Sequence, residues 1–180
     1  MPSHVRFTSV ESLMSDITSK EALFAKREEH IKNYGYTIQG VFASQDGAEP
    51  PFSYTIGLLE TANHPEIMMV GFDVNLMASI IRNLAKEILA GKVYENDARV
   101  NKVIESYPVA LRDVPAAVVQ EHCLGALRRG IPHKSVKVLQ MFLPDVNGKF
   151  PWDDGVDPKY AGWQMAFQEM RKKPTLRPLN

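Results

Sequence analysis

Cysteine is all but missing. The 180-residue chain holds one, Cys123, so no disulfide can close within it and an oxidising compartment gains no support. Net charge is missing as well: twenty-one basic residues balance twenty-one acidic ones, leaving no net field to draw the chain to nucleic acid or to an anionic membrane. No apolar run approaches the roughly 18 residues of a membrane span, and the N-terminus lacks a basic stretch followed by a long apolar core. GxSxG, glycine-rich phosphate loops, HExxH and CxxC are all absent, which argues against a serine-hydrolase elbow, a nucleotide-phosphate cradle and the common zinc spacings. These gaps lead us to expect a cytoplasmic protein with neither nucleic-acid nor membrane partners. The one basic cluster, Arg171, Lys172, Lys173 and Arg177, reads as a solvated helix end.

What is present suits a single core. Hydrophobic residues make up 44% of the chain, and a domain typically takes roughly 100–200 residues. We expect an N-terminal arm over residues 1–17, one α+β domain over 18–173 and a short tail over 174–180. Thr18 and Glu21 have the spacing of a capping box, predicting a helix over 19–34 with Leu23, Phe24, Ile31 and Tyr34 as its apolar stripe. Strands are predicted around 36–42 and 52–59, paired as a long hairpin across the turn formers of 45–51. A third strand over 67–72 is apolar throughout and reads as covered on both faces. Asp73 caps the firmest helix, 74–90, in which Leu76, Met77, Ile80, Ile81, Leu84, Ile88 and Leu89 recur at helical spacing. A short strand near 98–100, a strand over 107–114, a helix from Pro115 to a stop at Gly130 and a strand over 136–143 follow. Asp157 and Pro158 open a last helix with Tyr160, Trp163, Phe167 and Met170 on one seam, stopped by Pro174. This order predicts a mostly antiparallel sheet flanked by helices.

The run Tyr54-Thr55-Ile56-Gly57-Leu58, the triplet His64-Pro65-Glu66, the pair Pro144-Asp145 and the later Phe150-Pro151-Trp152-Asp153 together resemble a bacterial family catalogued as domain of unknown function 4262. The resemblance covers about Gly35 to Asp157. It implies a shared fold and positions worth testing, and it carries no activity to transfer. A looser similarity is to flavin-reductase-like split barrels, where two apolar strands and a proline turn border a flavin. Against a phosphate-bearing cofactor, no basic residue lies between Gly35 and Asp73.

The candidate chemistry centres on His64. Its ordinary pKa of about 6.5 suits an acid or base near neutrality, with Glu66 or Asp153 as its orienter. Residues two apart on an extended chain share a side, so His64 and Glu66 serve equally well as a structural turn lock. A metal reading recruits His64, Glu66 and a carboxylate of Asp145 or Asp153, but no ligand spacing supports it and no metal is assigned. The other histidines, His4, His30, His122 and His133, are scattered and read as ordinary surface or helix residues. The four aspartates near Gly155 lack the ligand alternation of a calcium loop and read as turn formers. Cys123 reads as a core residue. The leading expectation is therefore recognition of a small polar ligand or a protein partner in a cleft between the His64 turn and the 144–157 loop. In it Tyr54, Thr55, Gln140 and Asp145 supply hydrogen bonds and Trp152 an apolar wall. The rivals are a hydrolase or transferase with His64 as general base, and a flavin-binding protein. No cofactor is assigned.

Overall fold

The computed structural model describes residues 10–169. Residues 1–9 of the expected arm, His4, Met170, the basic cluster, Pro174 and the expected tail lie outside the described residues. Six strands form one open sheet in the order β1 (Thr37–Val41), β2 (Phe52–Ile56), β3 (Glu66–Val70), β6 (Val138–Phe142), β5 (Val109–Asp113), β4 (Arg99–Val100). Every neighbouring pair is antiparallel except β3 and β6, which run parallel with Ile67 opposite Leu139. The sheet is mostly antiparallel with helices on both faces, a single α+β domain. It leaves β1 and β4 as edges among the described residues, so it does not close into the barrel that the flavin comparison called for.

One face is covered by α3 (Val74–Leu89). Its apolar residues fall at helical spacing, and Met77, Ile80, Ile81, Leu84, Ala85 and Ile88 bury against Ile67, Met69, Leu111, Leu139 and Met141 of the sheet. Asp73 starts it as expected, its carboxylate accepting the N–H groups of Asn75 and Leu76. The central strands β2, β3 and β6 are buried at every position, as the continuous apolar run of β3 required. The other face carries Ile31 of α1 (Val10–Tyr34), Val118 and Val119 of α4 (Ala116–His122), Ala126 and Leu127 of α5 (Leu124–Leu127) and Phe167 of α6 (Pro158–Glu169).

Four expectations need correction. Helix α1 begins at Val10, so the Thr18 and Glu21 spacing lies inside it; only Ile31 of the expected stripe is buried, while Leu23 and Phe24 stand 65% and 54% exposed and Tyr34 also faces solvent. The strand expected to run to Leu59 stops at Ile56 and gives way to the short helix α2 (Leu58–Ala62). The single helix expected after Pro115 breaks at Cys123, where φ −98° and ψ 40° depart from helical values. The break lets Gly125 lie against β2, where an added Cβ would stand 2.5 Å from Ile56 Cδ1 and 2.9 Å from Tyr54 Oη. On α6 the seam is Phe167 with Gln164, both buried, and Trp163 is half exposed.

Candidate functional site

The His64-Pro65-Glu66 corner leads into β3, whose first residue is Glu66, and is closed by hydrogen bonds. Glu66 is buried, and its carboxylate accepts from Thr55 Oγ1 at 2.5 Å and from the N–H groups of Gly57 (2.8 Å), Leu58 (3.3 Å) and Leu59 (3.3 Å). Those amides are the orphan donors of α2's first turn, so Glu66 caps from across the sheet a helix whose N-cap, Gly57, has no side chain to do so. Thr55 Oγ1 in turn accepts the Ile67 N–H at 2.8 Å. Burial pushes the Glu66 carboxyl upward, against the four donors that favour its ionised form. Gly57 adopts φ +115°, and a Cβ there would meet backbone atoms of Gly35 and Tyr36 at 3.0 and 3.2 Å.

His64 is wholly buried. Its Nδ1 lies 2.7 Å from the Pro65 carbonyl and Nε2 accepts the Tyr94 N–H at 3.0 Å, which together fix the Nδ1–H tautomer. Burial holds its pKa below the usual histidine value, and no lone pair remains for taking a proton from a substrate in this arrangement. Tyr94 is held from its other end, its hydroxyl bonding to Glu87 at 2.5 Å. Burial and that carboxylate push the phenol up to about 12.

This corner and the 144–157 loop do not meet. Because β3 and β6 run parallel, the turn before β3 and the loop after β6 lie at opposite ends of the sheet, separated by the length of both strands. They also differ in face. His64 stacks edge-on against Tyr94 on the α3 side, whereas Trp152 packs on Phe142 from the opposite side, between stacked Phe150 and the Arg112 guanidinium 3.3 Å from its ring centre. Arg99 lies over Phe150 at 3.8 Å. The expected shared cleft is thus corrected by topology: the one parallel strand pair places its two walls apart.

The remaining sequence-proposed residues each stand in a separate network. Asp145 organises its loop by accepting from the N–H groups of Asn147, Lys149 and Asp157; the Lys149 amide foremost keeps its carboxyl below the usual range. Asp153 accepts the Phe150 N–H at 2.8 Å. Gln140 reaches across to α6, donating to the Gln164 carbonyl at 2.5 Å and accepting from Gln168 at 3.2 Å. Tyr54 Oη accepts the Gly125 N–H at 3.0 Å, and burial raises its phenol pKa. Cys123 is buried, its thiol pushed up to about 12 by burial, with Glu66 adding to the effect. The metal set drawn from His64, Glu66 and the loop aspartates is therefore not assembled.

Two concave regions remain beside these networks. The first, about 550 Å³, opens next to the His64 corner and is lined by Asn63, Pro65, Tyr94, Asn96, Asp113 and Lys137 over the apolar Leu59 and Leu139. Asn63 adopts the left-handed conformation at φ 49° to end α2 at its rim. The second, about 360 Å³, lies on the opposite sheet face between α1, the β1–β2 loop and α4, and contains Tyr54, Arg27, Glu49, Glu121, His122 and Arg128. Glu49, Glu121 and His122 were missed in the sequence, since their approach depends on the β1–β2 loop folding against the end of α4.

An open six-stranded mixed sheet between helical layers, with the quoted motifs closing its corners, defines the class as an α+β domain. The chain belongs to the family described as Domain of unknown function (DUF4262), whose model matches residues 30–157. That stretch runs from the end of α1 to the residue before α6 and contains the whole sheet. No curated protein and no solved structure matches the chain. No helix among the described residues is long and apolar enough to cross a membrane.

Proposed function

We propose that this domain is a recognition module that binds a small polar molecule in the cavity beside Pro65 and Tyr94. The observation that carries this reading is the Tyr94 N–H bond to His64 Nε2. It pins the 93–96 segment, one wall of the cavity, to the rigid start of β3, so the cavity is formed before any ligand arrives, as small-molecule sites usually are. Lys137 brings a cation to the rim and Asp113 an anion, with Asn63 and Asn96 offering amides and Leu139 an apolar floor. A compact molecule with polar groups of both signs suits that lining. His64 acts in this reading as a positioning residue. The hydrolase or transferase reading gains no support, because both imidazole nitrogens already have partners.

A second reading, docking of a protein partner, is favoured by the exposure of Leu23 and Phe24 on α1. Native mass spectrometry of gently purified protein separates the two. A retained small molecule that is lost in Lys137→Ala supports the cavity. A clean apo mass, with no stabilisation of the wild type by a set of polar metabolites in thermal-shift assays, contradicts it.

A further inference from the structure

The strongest unexplained feature of the molecule is one ring nitrogen. The His122 side chain is only 6% exposed, and its Nε2 is the one buried side-chain nitrogen or oxygen without a hydrogen-bond partner among the described residues. Buried polar atoms normally have partners, and each orphan asks for a reason. The imidazole is not free to turn away and find one. It stacks on Phe167 with ring centres 4.5 Å apart and planes at 17°, and it meets Phe52 edge-on at 5.6 Å. The ring is thus gripped on two sides, and the residue lines the cleft on the α4 side.

Two carboxylates approach the imidazole from different elements, one of them beside Nε2. Glu121 Oε2 stands 3.9 Å away, beyond hydrogen-bond reach. Glu49 comes from the β1–β2 loop, where its N–H donates to Ser44 Oγ at 2.8 Å and its carbonyl accepts the Ser44 N–H at 3.2 Å. One ligand atom from each of Glu49, Glu121 and His122 lies within 4.8 Å of the others. Atoms bound to a tetrahedral zinc at bonds of about 2.0–2.2 Å stand roughly 3.4 Å apart, so modest rotation of the two glutamates closes the set. Glu121 is largely exposed and has that freedom.

We propose that His122 Nε2 and the carboxylates of Glu49 and Glu121 form a divalent transition-metal site, independent of the cavity at Pro65. The donor set decides the class of ion. Imidazole with carboxylates suits zinc, manganese, iron, cobalt or nickel, whereas calcium and magnesium take all-oxygen sets and soft copper(I) takes sulfur. Three protein ligands leave coordination positions open, and they face a cleft of about 360 Å³ whose walls include Arg27 and Arg128. An exogenous ligand on the metal would therefore be an anion, such as a carboxylate or phosphate, held between the ion and the two guanidinium groups.

The test is calorimetric titration of the chelator-treated full chain with Zn²⁺, repeated with Co²⁺ while following its visible ligand-field bands. The site predicts one saturable equivalent. It also predicts that Glu49→Gln and Glu121→Gln each weaken Zn²⁺ binding by at least about tenfold, with His122→Ala weakening it further. Because His122→Ala also removes ring packing, the two glutamine variants decide the matter, with thermal melts to show that they remain folded. Glu105→Gln, at an exposed carboxylate elsewhere, should bind as the wild type does. Absence of saturable binding overturns the proposal. So does saturable binding unchanged in both glutamine variants, or equally weakened in Glu105→Gln.

Discussion

Two histidine corners on opposite faces of one sheet carry similar side chains and do opposite things with them. At His64 and Glu66 every titratable atom has a protein partner: a carbonyl and an amide for the imidazole, a hydroxyl and three amides for the carboxylate. At His122 the imidazole is as firmly packed, yet its Nε2 has none, and the Glu121 carboxylate 3.9 Å from it is too far to bond directly. Full satisfaction means that removing a residue breaks the fold, while an orphan with acids beside it means that removing a residue costs binding. The two imidazoles are both packed away from solvent, and partner counting separates them.

The comparison is broken most forcefully at Glu66. Glu66→Ala strips the acceptor from four donors at once, and we expect a loss of about 4 kcal/mol, near the upper range for single substitutions, read by urea denaturation. A loss under about 1 kcal/mol would show that the network does not hold α2. His64→Ala removes the anchor of the Tyr94 segment and leaves a cavity, for a loss of about 2–3 kcal/mol. Gly57→Ala forces a non-glycine residue to φ +115° against backbone atoms, with an expected cost of about 2 kcal/mol; melting temperature registers both.

The pH dependence sharpens the contrast further. Burial lowers the native pKa of His64 from the unfolded value of 6.5. The unfolded chain therefore binds the extra proton first, so the His64 contribution is complete above about pH 6.5 and is lost as pH falls from there toward the native pKa. Glu66 tilts the other way, its raised native pKa weakening stability as pH rises from 4.5 through the native value. Subtracting the stability of His64→Gln from that of the wild type between pH 7.5 and 5 isolates the histidine, and the difference should shrink as pH drops. A flat difference would mean that His64 is not held neutral. At the other corner Glu49→Gln and Glu121→Gln should change metal-free stability by less than about 0.5 kcal/mol, as surface substitutions do.

Local pattern made much of this architecture legible. The spacing of Met77, Ile80, Ile81, Leu84 and Ile88 marks α3 because the apolar period and the Asp73 cap agree, and the uninterrupted run from Ile67 marks β3 because a strand covered on both faces needs no alternation. What escaped depends on contacts distant in the chain. Helix α2 is only five residues long and its two leucines continue the apolar run of β2, so it shows as a helix only once Glu66 gathers its first amides. The break at Cys123 answers to the close approach of Gly125 to Tyr54 and Ile56. The parallel pairing of β3 with β6 has no local mark, and it alone moves the His64 turn and the Trp152 loop to opposite ends. His122 reads as an ordinary helix residue until the loop bearing Glu49 is folded beside it. The family motifs were the most visible residues for a structural reason: Thr55, Gly57, Glu66, Asp145 and Trp152 close corners of the fold.

Long-range ¹H–¹⁵N correlation of the imidazole rings, before and after one equivalent of Zn²⁺, tests both corners in a single experiment. The account predicts that His64 stays neutral with the proton on Nδ1 and does not respond to the metal, while the Nε2 resonance of His122 shifts. A His64 ring that responds to Zn²⁺ while His122 stays unmoved would contradict it.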